Sequence, residues 1–191
     1  MVGCRVKSGW ATVVLVAGPP RSPRVVDCRT IALSDATVPT SRQPYHAVMG
    51  ARASEAPQVE RRLRGIVERV TRRSLAALLR EYRRTQRVGG VALVVGSTID
   101  PTTIGNDHIR AHALEGQLFR TALERAVRAG RLPCTTVVER ALYATAAARL
   151  KRPARDLKSA VGELGKVVDG PWRADEKAAT LAAWLMLRSV H

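Results

Sequence analysis

The chain has 191 residues, with 32 lysines and arginines against 16 acids and a formal net charge of +16. That length suits one domain with a buried core, and so positive a surface concentrates polyanions such as nucleic acid around it. Three cysteines with no CxxC pair argue against a disulfide framework or a zinc site, and no segment reaches the roughly 20 apolar residues of a membrane span.

Residues 2–6 (VGCRV) and 10–17 (WATVVLVA) are β-branched runs on either side of a Lys7-Ser8-Gly9 turn. Arg5 and Lys7 stand where a secretory signal carries its basic residues. The apolar run behind them, however, is short, alternates like a strand and ends in Gly-Pro-Pro, so a cytoplasmic protein is expected. After the turn signal GPPRSP, Val26, Cys28, Thr30 and Ala32 alternate with Val25, Asp27, Arg29 and Ile31, which completes a three-stranded antiparallel meander. Residues 34–56, rich in Pro, Ser, Thr and Ala, read as a connecting loop.

A long helix is predicted over 58–87. Val59, Leu63, Ile66, Val67, Val70, Leu78, Leu79 and Tyr82 recur at the spacing of one buried stripe, and Gly89-Gly90 ends it. Arg61, Arg62, Arg69, Arg72, Arg73, Arg80, Arg83 and Arg84 lie mostly off that stripe, and they are the candidate nucleic-acid-binding residues. The interspersed Glu60, Glu68 and Glu81 favour the plainer reading of a solvated charged face. VALVV (91–95) is continuously apolar, as a central parallel strand is. Asn106 caps a helix over 107–129 whose buried stripe is Ile109, Leu114, Leu118, Leu123 and Val127, and Gly130 ends it. A fifth strand over 133–139 precedes helices over 140–150, 154–168 and 174–189. The order β-β-β-α-β-α-β-α-α-α calls for an α/β fold: a mixed five-stranded sheet, three strands antiparallel and then two parallel, with helices on both faces.

MVGCRV followed by SGWATVVLVA, the helix-to-strand segment HALEGQLFRTALERAVRAGRLPCTTVV, and WRADEKAATLAAWLML together resemble the ribonuclease H-like superfamily, in its Holliday-junction resolvase variant. The resemblance implies phosphodiester hydrolysis by two divalent cations held by acids on the first strand, the fourth strand and the last helix. Matched position by position, the first acid falls at Arg5 and the second at Gly96 or Ser97. Asp175, with Glu176 beside it, remains, and the further acid of the last helix falls near Ala178. One acidic position of three does not hold two cations, so a degenerate, non-catalytic site is expected; the alternative is that Arg5 points to solvent at a strand end.

His108, His112 and Glu115 share a face of the helix over 107–129, a spacing that suits a transition metal, yet no HExxH pattern is present. Hydrogen-bonded histidines where that helix meets the sheet are the favoured reading, and no metal site is expected. The free N–H groups at its start suit an anion, with Lys7, Ser97, His108 and His46 around it. No Walker loop or Gly-x-Ser-x-Gly elbow occurs, and aromatic residues are too few for base stacking along a single strand.

The expected function is therefore a non-catalytic ribonuclease H-like module that binds DNA or RNA through a basic surface, without a cofactor or membrane, and with a second copy of the chain as a further possible partner. The alternative is a nuclease or other hydrolase using Mg²⁺ or Mn²⁺ at a remodelled site of Lys7, Ser97, Asp100, His108, His112, Glu115, Asp175 and Glu176. A third reading is a protein-interaction scaffold, its arginines a product of a genome rich in G and C.

Overall fold

The computed structural model describes residues 1–188. Five strands, β1 (Val2–Lys7), β2 (Trp10–Ala17), β3 (Arg24–Ala32), β4 (Val91–Val95) and β5 (Cys134–Val138), form one sheet in the order β3-β2-β1-β4-β5. The first three pair antiparallel, and β1–β4 and β4–β5 pair parallel, as the element order requires. Six helices cover it: α1 (Pro44–Met49), α2 (Ala56–Tyr82), α3 (Asp107–Ala129), α4 (Leu142–Leu150), α5 (Ala154–Leu164) and α6 (Ala174–Leu187).

Side chains alternate across a strand, so β1 divides its residues between two cores. Val2, Cys4 and Val6 pack with α2 and α3 on one face. Val14, Val16, Ala92 and Val94, from the neighbouring strands, pack with α4, α5 and α6 on the other. Helix α6 is buried on every side from Ala178 to Leu187. It lies so close to β1 that a Cβ on Gly3 would stand 1.8 Å from the Ala179 carbonyl oxygen. Arg5 and Lys7 follow Gly3 on that same face, which aims both cations at the first turn of α6.

Several boundaries differ from the sequence pattern, for identifiable reasons. Helix α2 stops at Tyr82, where the apolar stripe ends and the Tyr82 hydroxyl donates to Asp27 Oδ2 at 2.5 Å. Residues 34–56 are not wholly loop: Pro39–Arg42 forms a 3₁₀ turn, and Pro44 opens the six-residue α1. The helix expected over 154–168 ends at Leu164 and tightens into a 3₁₀ turn, while residue 189 of the last predicted helix lies outside the described residues. Ile109, assigned to a buried stripe, is 57% exposed. It belongs to the first turn of α3, where it lines the cleft beside the strand ends instead of the core. The three cysteines are unpaired, and no described helix is long and apolar enough to cross a membrane.

Candidate functional site

Arg5 is buried, with 6% of its side chain exposed, at the carboxyl ends of β1 and β4. Its Nη1 donates to the carbonyls of Val6, at 3.0 Å, and Val94, at 3.4 Å, so the guanidinium caps the parallel strand pair. Its Nη2 donates to Glu139, the residue after β5, and its Nε lies 3.5 Å from Asp175 Oδ1 on α6. Lys7 Nζ approaches the same Asp175 oxygen at 3.1 Å. Two cations and two acids from three segments thus close into a cluster of zero formal charge. Asp175 was recognisable in the sequence; Glu139 was not, because its partner lies 134 residues away.

Beside the cluster, a cleft of about 530 Å³ opens between the strand ends and α3. Arg5, Lys7, Ser97 and His112 line it together with the apolar Ile99 and Ile104. Of the remaining candidates, Asp175 touches the cleft's cations, whereas two serve as caps. Asp100 accepts from the Thr102 N–H at 2.9 Å, and that hydrogen bond holds its carboxyl below the usual range. Glu176 reaches back to the Arg173 N–H at 2.8 Å to close the start of α6. The Ser97 hydroxyl accepts from the Ile99 N–H at 3.1 Å, shaping the loop after β4.

His108 and His112 meet α1 rather than the sheet. His46 of α1 sits between them, with ring centroids 4.8 Å from His108 and 4.4 Å from His112. His108 Nε2 and His112 Nε2 are 3.2 Å apart. Beneath the three rings lies Glu115, wholly buried, with Oε1 2.8 Å from His46 Nδ1 and Oε2 3.8 Å from His112 Nδ1.

The eight candidate arginines along α2 are all exposed. The acids that interrupt them in sequence are engaged by other arginines: Glu60 by Arg64, Glu68 by Arg125 and Glu81 by Arg29. Among the described residues none of the eight forms an ion pair, although Arg83 donates to the Gly130 carbonyl. At 100° per residue the six within the helix, Arg61, Arg62, Arg69, Arg72, Arg73 and Arg80, fall in an arc of roughly 120°. They form one cationic face rather than a scatter.

Two solved structures of Thermus thermophilus RuvC superpose on the whole chain. One is 13% identical with a TM-score of 0.53, and the other, in complex with Holliday junction substrate, is 12% identical with a TM-score of 0.56. Each match covers 100% of this chain and 95% of the other. The fold is ribonuclease H-like, of the resolvase type. No protein-family model and no curated protein matches the sequence.

A fold does not carry its chemistry with it, so the donor set must be read directly. Paired divalent cations require several anionic oxygens around one space. In this ribonuclease H-like sheet the first strand presents a guanidinium, and the loop after β4 presents Gly96 and Ser97. The two acids that do approach, Glu139 and Asp175, are engaged by Arg5 and Lys7. The residues present do not fit a two-cation centre.

Proposed function

We propose that this protein is a non-catalytic, DNA-binding module on a resolvase-type ribonuclease H-like fold. The observation that carries the non-catalytic half is the buried Arg5 guanidinium, ion-paired to Glu139 and Asp175 where the resemblance implies an acid and cations. A fixed internal cation stands in place of exchangeable ones and holds the sheet ends together through Glu139 and Asp175. Support for the DNA half comes from the ion-pair-free arginine face of α2 and from the structural neighbour bound to a Holliday junction. Phosphate contacts of this kind position a duplex without reading its bases.

The test is fluorescence anisotropy with duplex DNA, a four-way junction and single-stranded RNA across a salt series, with cleavage assays in Mg²⁺ and Mn²⁺. Binding that weakens linearly in log–log form with salt, without cleavage, is expected. No binding at low salt removes the DNA reading and leaves the scaffold. Cation-dependent cleavage abolished by Asp175→Ala establishes a remodelled nuclease instead.

A further inference from the structure

We propose that His46, His108 and His112 form a binding site for a first-row divalent metal ion, with Zn²⁺ the best match, and that Glu115 orients its ligands. The site shares none of the charged groups of the Arg5 cluster, although His112 also lines the neighbouring cleft, and it does not depend on the DNA reading. One ring nitrogen from each histidine lies within 4.8 Å of the other two. A tetrahedral ion with metal–nitrogen bonds of 2.0–2.1 Å separates its ligand atoms by about 3.3 Å. The Nε2 atoms of His108 and His112 already stand 3.2 Å apart.

Glu115 supplies the second argument. Its side chain is 0% exposed, and among the described residues no lysine or arginine pairs with it. A buried carboxylate without a cation is costly. It faces the Nδ1 side of two rings instead, at 2.8 Å from His46 and 3.8 Å from His112, and also accepts from the His46 backbone N–H at 3.4 Å. A carboxylate that receives Nδ1–H fixes the tautomer and frees Nε2 for a metal, the usual arrangement behind zinc-bound histidine.

The third observation is an orphaned atom. His46 Nε2 is buried and has no hydrogen-bond partner. Neither protonation state of the ring repairs this: a neutral ring leaves a buried lone pair, and an imidazolium leaves a buried N–H. A cation shared with the other two Nε2 atoms satisfies it and also compensates Glu115. Three protein ligands leave one position of a tetrahedral ion open, reached past the exposed His108 and His112 rings. The ion would fasten α1 to α3. A six-residue helix has little stability of its own, so this clip would add to the packing of Tyr45 and Ala47 that already holds the segment around His46.

Two readouts on the full chain test the site: zinc affinity by competition with a chromophoric chelator after stripping, and the visible absorption of Co²⁺. One ion per chain, an intense four-coordinate Co²⁺ band and a zinc-dependent rise in melting temperature are expected. His46→Gln, His108→Gln and His112→Gln should each lower affinity by roughly 100-fold, and Glu115→Gln by about 10- to 100-fold. His108 and His112 are exposed, so those variants keep the fold, which far-UV circular dichroism verifies. Unchanged affinity in His46→Gln overturns the three-ligand site. Absence of the Co²⁺ band in the wild-type protein overturns it whatever the variants do.

Discussion

Arg5 in β1 and Glu139 at the end of β5 are hydrogen-bonded although β4 lies between their strands, so one guanidinium spans the carboxyl ends of the parallel half of the sheet. The same group reaches Asp175 on the opposing helix. It occupies the point where strand and helix ends converge, which in open α/β sheets is where ligands bind. Here that point is filled by the chain itself.

Removing the guanidinium should therefore cost stability rather than release activity. Breaking a buried pair leaves the remaining charge uncompensated, at about 3 kcal/mol when solvent has limited access. Lys7 still faces Asp175, and Glu139 is 44% exposed, so Arg5→Ala should fall near that value and not above it. Urea unfolding at neutral pH measures it. A loss below about 1 kcal/mol means that the strand ends are held by packing alone.

Restoring the missing acids should restore cation affinity. Arg5→Asp combined with Ser97→Glu places carboxylates on the first strand and after the fourth, beside Asp175 and Glu139. With the histidine site disabled by His46→Gln in both proteins, millimolar Mn²⁺ should then raise the melting temperature of the double variant while leaving the parent protein unchanged. Saturation at 100 times the dissociation constant corresponds to about 2.7 kcal/mol. Equal indifference to Mn²⁺ in both proteins would show that these positions do not face one space.

How much of this was legible in the sequence depends on how local each signal is. The five strands and α3 announce themselves through β-branched alternation and the Asn106 cap, whose side chain accepts from the Ile109 N–H at 3.0 Å. Helix α1 did not, because six residues are too few for a helical period to register. The opposition of Arg5 to Asp175 followed from strand register and family resemblance together. Glu139 escaped because only the sheet order brings β5 within reach of β1. His108, His112 and Glu115 share a visible face of one helix, but complete burial of the Glu115 carboxylate arises from α1 folding over it. Asp100 and Glu176 look acidic and available in sequence, yet their spacing is also that of caps, and the caps prevail.

Glycine substitutions should separate close packing from open surface. Gly3→Ala drives a methyl into the Ala179 carbonyl, and backbone cannot yield as a flexible side chain can. A loss above about 3 kcal/mol, read as a collapse in soluble yield or melting temperature, is expected. Gly65 in α2 meets nothing within 4 Å. Gly65→Ala should stabilise the helix by about 0.5–1 kcal/mol, raising the melting temperature by roughly 1–4 °C. The reverse order would place α6 away from β1.

Acid sensitivity should trace partly to Asp27. Burial opposes its ionisation, but hydrogen bonds from Arg29 at 2.6 Å and Tyr82 at 2.5 Å outweigh that, and its carboxyl is held below the ordinary value. A depressed carboxyl contributes stability that is complete above its unfolded value, about 3.9, and is lost as pH falls through the lower folded one. Urea melts between pH 6 and about pH 2.5 should show a decline below about pH 4 that is shallower in Asp27→Asn. Parallel curves for the two proteins would assign the acid transition to other carboxyls.

The arginine face of α2 yields the last prediction, because its charge does not depend on the Arg5 cluster. Each phosphate neutralised contributes about −0.9 to the slope of log affinity against log salt on duplex DNA. Replacing Arg69, Arg72, Arg73 and Arg80 with Gln keeps good helix formers at exposed positions, so the fold should be retained. If all four meet phosphate, the slope should become shallower by about 3.6 while the ranking among DNA sequences is preserved, since backbone contacts carry no base information. A single Arg73→Gln change should shift it by about 0.9. The same titration repeated with Arg5→Ala should leave the slope untouched, because that guanidinium is buried and already paired. A slope unaltered by the four-fold change would move the DNA-binding surface away from α2 and leave this helix as a protein-facing one.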